Sequence, residues 1–196
     1  MTKRTAAFAV SMALAAGLAA CTTATPYQPN IPGQATSGGY SEIRVEPDRW
    51  RVSFQGNTLT SRETVEAYLL FRSAELTVQQ GYDWFEMVDR HTNADARSYV
   101  EPDPLYHPWY GGYGFWRPSW RFHGRGFGWR TWDPFWGDPF WADRYDVRTI
   151  EKFEAAAEIK MHKGAKPADD PRAFDAHAVI ENLRPRIQYP APPKPR

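Results

Sequence analysis

The sequence contains a single cysteine, and this scarcity excludes several kinds of protein. Cys21 is the only cysteine among 196 residues, so no disulfide can form within the chain and no cysteine cluster can hold a metal. Long hydrophobic runs are also missing. The most apolar stretch, residues 6–17, falls well short of the roughly 20 residues that a membrane-spanning helix needs.

Motifs for catalysis and for metal binding are missing as well. The five histidines are scattered, and no HExxH, GxSxG, Walker loop or GxGxxG placed between strand and helix occurs. A few His, Glu and Asp residues lie near one another in sequence, but solvation or a turn beside proline accounts for them: His91, His107, Glu101, Asp103, Asp133 and Asp138. We therefore predict no enzyme, no catalytic residue, no metal site and no cofactor.

An excess of charge of one sign is absent too. The chain has 24 basic and 23 acidic residues, which gives a net charge of +1. A nearly neutral chain offers no electrostatic argument for binding nucleic acid.

The N-terminus has the layout of a bacterial lipoprotein signal. Lys3 and Arg4 precede the apolar residues 6–17, and Leu18-Ala19-Ala20-Cys21 follows with small side chains directly before the cysteine. We predict that residues 1–20 are a signal peptide and that Cys21 is lipidated. The alternative is an ordinary secretory signal followed by a chance cysteine.

Acyl chains on Cys21 would decide where the protein is found. Each buried CH₂ contributes about 0.8 kcal/mol, and stable anchoring needs more than one chain. Residue 22 is Thr and not the Asp that usually retains lipoproteins in the inner membrane. We therefore expect the periplasmic face of the outer membrane in preference to the inner membrane, with the membrane as a partner through the lipid.

The segment after Cys21 predicts a tether. Residues 22–39 are rich in Thr, Pro and Gly, a composition that does not bury enough surface to offset its ordering entropy. A flexible chain of this length reaches roughly 23 Å, so residues 21–39 would let the domain stand away from the membrane.

Residues 40–184 predict a single α+β domain. Apolar residues alternate in residues 43–45 and 50–54 around a Pro-Asp turn, which predicts a β-hairpin. Thr60 and Glu63 then form a capping box for a helix that ends before Gly81.

The rest of this domain predicts two more strands and a second helix. We expect a strand at 82–92, a strand at 144–162, for which a helix is the alternative, and a helix from Asp170 to before Pro185. The result is a small mixed sheet in β-β-α-β-β-α order with both helices on one face, followed by a Pro-rich tail at 185–196.

An aromatic insertion at 101–142 separates the last two strands. Fifteen of its residues are aromatic, and Gly and Pro interrupt them, so we do not expect a second core. Three interpretations stay open: a low-complexity loop, a contact surface for a protein, a membrane or other copies, and a platform for stacking on glycans. The candidate contact residues are its tryptophans: Trp109, Trp116, Trp120, Trp129, Trp132, Trp136 and Trp141.

Four motifs stand beside the Gly/aromatic insertion: YSE at residues 40–42, RVSFQGN at 51–57, TSRETVE at 60–66 and QGYDWF at 80–85. Together they resemble a family of small alphaproteobacterial lipoproteins of unknown function. The resemblance implies an address in the cell envelope and a compact domain, but no activity. We expect a non-catalytic interaction or structural module whose partner is an envelope protein; the alternative is a peptidoglycan- or glycan-binding protein, with hydrolase activity as a further option.

Overall fold

A computed structural model describes residues 23–88, 116–124, 126, 128–132 and 150–192 of the chain. These residues form an α+β structure, in agreement with the predicted class. Within them are seven strands and two helices, in this order: β1 Gly39–Glu46, β2 Arg49–Gln55, α1 Arg62–Gln79, β3 Trp84–Met87, β4 Ser119–Gly124, β5 Gly128–Trp132, β6 Ile150–His162, β7 Ala173–Asp175 and α2 Ala176–Leu183. A short 3₁₀ turn, Arg184–Arg186, follows α2.

The long strand β6 organises the sheet. One of its edges pairs with β2, and β1 pairs with β2 in turn. Its other edge pairs with β4 along its first half and with β3 along its second half, while β7 extends the sheet beyond β3 and β5 extends it beyond β4. All of these pairings are antiparallel, and an isolated parallel bridge joins Pro29 to Tyr40.

The predicted hairpin and the predicted strand over 144–162 are confirmed where the structure describes them. Period-2 alternation is the reason, because Ala155, Ala157, Ile159 and Met161 of β6 are all buried on the face that meets the helices. Residues 144–149 lie outside the described part. The connection from β2 through α1 to β3 joins strands that run in the same direction with β6 between them, since both pair antiparallel with β6.

Helix α1 lies at the centre of the core. Its N-cap is Ser61, whose hydroxyl accepts a hydrogen bond from the Thr64 amide, so the predicted capping role of Thr60 is wrong. Its end is as predicted: Gly81 has φ +77°, and its amide donates to the Val78 carbonyl. Every residue from Val65 to Ala74 is buried, far more than one apolar stripe requires, because other parts of the chain cover the face that points away from the sheet.

The predicted element order is wrong in three places. Strands β4 and β5 lie within the insertion 101–142, and β7 precedes the second helix. Because Ala173–Asp175 pairs with β3, α2 begins at Ala176 with Asp175 as its N-cap, several residues later than Asp170-Pro171 suggested. Among the described residues, no helix is both long and apolar enough to cross a bilayer.

Candidate functional site at the anchor end

The chain directly after the predicted lipidation site is folded onto the domain. Thr25, Tyr27 and Gln28 are buried, and Tyr27 is only 4% exposed and belongs to the main core. The prediction of a free tether over 21–39 is therefore wrong for this part, and so is the expected stand-off of roughly 23 Å. Cys21 and the lipobox residues Leu18, Ala19 and Ala20 lie outside the described residues.

Hydrogen bonds hold the segment against the loop between β2 and α1. The Asn57 side-chain amide donates to the Thr23 carbonyl at 2.8 Å, and the Thr25 amide donates to the Thr60 hydroxyl at 2.9 Å. The Thr25 hydroxyl in turn accepts from the Asn57 amide and donates to the Ser37 carbonyl. Thr60 thus holds the N-terminal segment in place of capping α1. We call this edge of the domain, with Thr23 and residues 55–60, the anchor end, after the lipid anchor predicted at Cys21.

Gly38 permits the close approach of β1 to this segment. Its φ of +94° lies in the left-handed region, and a Cβ there would collide with the Gln55 carbonyl oxygen and contact Thr25. Only glycine lets the chain turn into β1 while the N-terminal segment stays in contact with the end of β2.

Tyr27 joins the segment to α1 through aromatic and polar contacts. Its ring packs edge-on against Tyr68 and Phe71, at centroid distances of 5.6 and 5.1 Å. Its hydroxyl donates to the Glu75 carboxylate, which also accepts from Arg72. Burial first, and then the hydrogen bond to this carboxylate, raise the pKa of Tyr27 far above the usual tyrosine range.

Arg72 connects this contact to the sheet. Its Nε donates to Glu42 Oε1 at 2.8 Å, and its guanidinium lies 4.5 Å from the centroid of the Tyr40 ring. Because the Arg72 side chain is nearly buried, the pair with Glu42 is screened less than a surface ion pair. Glu42 on β1, Arg72 and Glu75 on α1 and Tyr27 therefore form one network.

We expect the stability of the protein to fall as the pH rises above about 10, the ordinary tyrosine pKa. Burial raises the pKa of Tyr27, Tyr40, Tyr68 and Tyr189, so the folded chain keeps protons that the unfolded chain releases. Stability is then fully present below the unfolded pKa and is lost above it. The measurement is the free energy of unfolding in urea across this pH range.

Tyr27→Phe is the matched variant for this pH dependence. It keeps the ring packing and removes the proton, so the alkaline loss of stability should become shallower, with a remainder from the other three tyrosines. Equal alkaline slopes in both proteins would contradict the assignment of this effect to Tyr27.

The C-terminal segment packs beside the N-terminal one. The Gln188 carbonyl accepts from the Tyr27 amide at 2.7 Å, and the Gln188 amide donates to the Tyr68 hydroxyl at 2.9 Å. Ile187 is buried in the core, and the Tyr189 ring lies edge-on to Tyr27. The Pro-rich tail predicted over 185–196 therefore packs on the domain at residues 187–189.

The predicted contact tryptophans divide into different classes. Trp116 and Trp120 are wholly buried in the core, which overturns their assignment to an interaction surface. Trp132 is partly buried against the core, and Trp129 is 36% exposed. The remaining three lie outside the described residues: Trp109, Trp136 and Trp141.

Trp129 is held in place by charged and aromatic neighbours. The Arg121 guanidinium lies 4.8 Å from the centroid of its ring, and Arg121 Nη1 is 3.2 Å from Glu154 Oε2. The His123 ring lies edge-on at 5.4 Å. Trp129 is therefore a supported, partly exposed aromatic on the sheet face that points away from the helices.

A row of paired residues relates Trp129 to the anchor end. Gly39, Gln55, Glu154, Arg121 and Thr131 lie side by side across β1, β2, β6, β4 and β5. Strand β2 runs across this row from Arg49 to Gln55 and then enters the loop that binds Thr23. The β4–β5 hairpin crosses the row at Arg121 and Thr131, and its turn lies on the same side of the row as that loop.

Metal-ligating side chains do not cluster within the described residues. Among them, no group of three or more His, Cys, Asp or Glu residues is close enough to hold a metal ion. The scattered acidic and histidine residues between 91 and 107, and Asp133 and Asp138, lie outside the described part.

Comparisons with protein-family models, with curated proteins and with solved structures find no match to this chain. The resemblance to alphaproteobacterial lipoproteins therefore stays a prediction. Sequence reasoning missed Thr25, Tyr27, Asn57 and Thr60, because a Thr- and Pro-rich composition gave no indication that single residues within it were buried.

Proposed function

We propose that this chain is a bacterial cell-envelope lipoprotein, anchored through acyl chains on Cys21, that acts as a non-catalytic interaction or structural module. The sequence motif Leu18-Ala19-Ala20-Cys21 after a charged and then apolar segment supports the anchor. Thr22 favours the periplasmic face of the outer membrane.

The position of Thr23 relative to Cys21 is the strongest structural support for the proposal. The described contacts of the N-terminal segment begin at the exposed residue Thr23, two residues after Cys21, and continue from there to the buried ring of Tyr27. A lipidated N-terminus needs this arrangement, because acyl chains must leave the protein and enter a bilayer. A two-residue connection between Cys21 and Thr23 is sufficient, because Thr23 is at the surface.

The alternative of a peptidoglycan- or glycan-binding protein has weaker support. Stacking on sugars needs exposed aromatic faces, and two of the four tryptophans that the structure describes in the insertion are core residues. Of those four, Trp129 offers the most exposed ring.

The test is the intact mass of the mature protein isolated from membranes of cells that produce the natural sequence. We expect a chain that begins at Cys21 and is heavier than its amino-acid mass by the mass of a diacylglycerol group, with or without a further acyl chain. The Cys21→Ser variant is the control and should carry no such addition. A mature chain that starts elsewhere, or an unmodified Cys21, would reject the proposal.

A further inference from the structure

The distance between the predicted lipid and the folded domain is very short. In the predicted mature chain only Cys21 and Thr22 precede Thr23, whose carbonyl accepts a hydrogen bond from the Asn57 side-chain amide. Consecutive Cα atoms are about 3.8 Å apart, so the Cα of Cys21 is within about 8 Å of the Cα of Thr23. The domain therefore cannot move away from the membrane unless the contacts of residues 23–28 break.

Those contacts are too numerous to break easily. The segment is held by the hydrogen bonds to Asn57, Thr60 and Gln188 and by the buried ring of Tyr27. Burial of a large aromatic side chain is favourable, and the hydrogen bonds add to it. The short connection thus fixes which end of the domain meets the bilayer.

The exposed side chains at that end suit a membrane interface. Leu59 is 53% exposed, and its amide is bonded to the same Asn57 side chain that holds Thr23. An exposed leucine beside the attachment point can enter the apolar boundary of the bilayer, where burial of apolar surface is favourable.

The turn of the β4–β5 hairpin lies at the same end of the sheet as Asn57. Gln55 and Thr131 both belong to the paired row. Asn57 follows Gln55 by two residues and Trp129 precedes Thr131 by two residues, and both lie on the same side of the row. Two residues along a strand span roughly 7 Å, so Trp129 lies beyond the row on the same side as Asn57, which holds Thr23. Tryptophan and arginine at this level match the composition of membrane–water interfaces.

From these observations we propose that the anchor end, with Leu59 and the hairpin residues Trp129 and Arg130, rests on the lipid bilayer surface in a fixed orientation. The inference rests on the proposed function, since it requires acyl chains on Cys21. It adds a second contact to the anchor and places the opposite end, with the Pro47-Asp48 turn and Ala165, towards the periplasm.

The chain itself provides a clean way to test this orientation. Because Cys21 is the only cysteine and its thiol is consumed by lipid, a single introduced cysteine can carry a nitroxide label. The lipidated protein is reconstituted into vesicles of phosphatidylethanolamine and phosphatidylglycerol. Labels are placed at exposed positions of the anchor end, Leu59→Cys and Arg130→Cys, with Ala165→Cys at the opposite end as the matched control.

The measured quantity is the collisional accessibility of each label to a water-soluble paramagnetic reagent and to oxygen. We expect vesicle binding to reduce the contact of the labels at 59 and 130 with the water-soluble reagent, and to leave the label at 165 unchanged. Equal accessibility at all three positions in vesicle-bound, lipidated protein, or shielding of 165 alone, would overturn the proposed orientation and leave the lipid anchor intact. Protein that carries no lipid and does not bind vesicles would instead reject the proposed function.

Discussion

Replacement of Trp120 by alanine should destabilise the folded protein by about 3–5 kcal/mol, the usual cost of removing a buried tryptophan. Trp120 on β4 is 1% exposed, and its ring packs edge-on against Phe153 of β6. The alanine variant leaves a large cavity where β4 meets the central strand, and the surrounding residues close it only in part. The measurement is the free energy of unfolding from urea titration, followed by circular dichroism.

Trp129→Ala is the matched control, because it removes the same side chain from the same hairpin. Trp129 is partly exposed, so the variant loses the edge-on contact with His123 and the contact with Arg121, which is worth roughly 0.5–1 kcal/mol at exposed sites, and leaves no large cavity. A similar cost for both substitutions would contradict the division of the insertion into a buried and an exposed part.

Deletion of the whole insertion would remove its buried part together with its exposed part. Removing residues 101–142 as a whole would delete β4 and β5 and with them the buried Trp116 and Trp120. Loss of binding after such a deletion would then reflect loss of folding. Substitution of Trp129 alone keeps both strands and both buried tryptophans, so it separates loss of binding from loss of folding.

The periodicity of apolar residues predicted those elements in which one face is buried along the whole length. The strand at 144–162 is predicted in spite of its Glu, Ala and Lys content, because Ala155, Ala157 and Ile159 share one face. The burial of β6 follows this alternation except at Glu158, which is buried beside Arg49 and Arg51. Gly81 was assigned correctly as the helix stop for a similar reason, since a left-handed residue is needed there whatever the tertiary context.

The hairpin within the insertion is not predicted, because its high content of Gly, Trp and Pro conceals the alternation of its side chains. In the sequence around β4, Trp120 and Phe122 alternate with Arg121 and His123, and two of these are buried. Gly126, with φ +93°, lies between the two strands. This alternation around a glycine turn is a hairpin pattern, but it is easily overlooked in a segment so rich in Gly, Trp and Pro.

The docked N-terminal segment was missed for a different physical reason. Its average composition resembles a disordered linker, but its folding depends on single residues, chiefly Tyr27 and Thr25. Their partners lie far away in sequence, at Thr60, Glu75 and Gln188. No local pattern in residues 22–39 encodes these contacts.

Replacement of Cys21 by serine should release the protein from the membrane almost completely. Acyl chains contribute about 0.8 kcal/mol for each buried CH₂, whereas a serine offers no site for thioether-linked lipid. We expect the contacts of Leu59 and Trp129 with the bilayer to be too weak to retain the chain without lipid. These two side chains bury less apolar surface than a single acyl chain, and a single acyl chain already gives only marginal membrane binding. The expected effect is close to all or none.

The decisive measurement is the distribution of the wild-type and Cys21→Ser proteins between the membrane pellet and the soluble fraction of lysed cells after a high-salt wash. The salt wash removes proteins held by charge alone, and an accumulated precursor is recognised by its retained residues 1–20. The wild-type protein should stay in the pellet, and the serine variant should be recovered in the soluble fraction. A serine variant that remains in the pellet as firmly as the wild type, with its signal peptide removed, would contradict the claim that acyl chains on Cys21 fix where this protein acts.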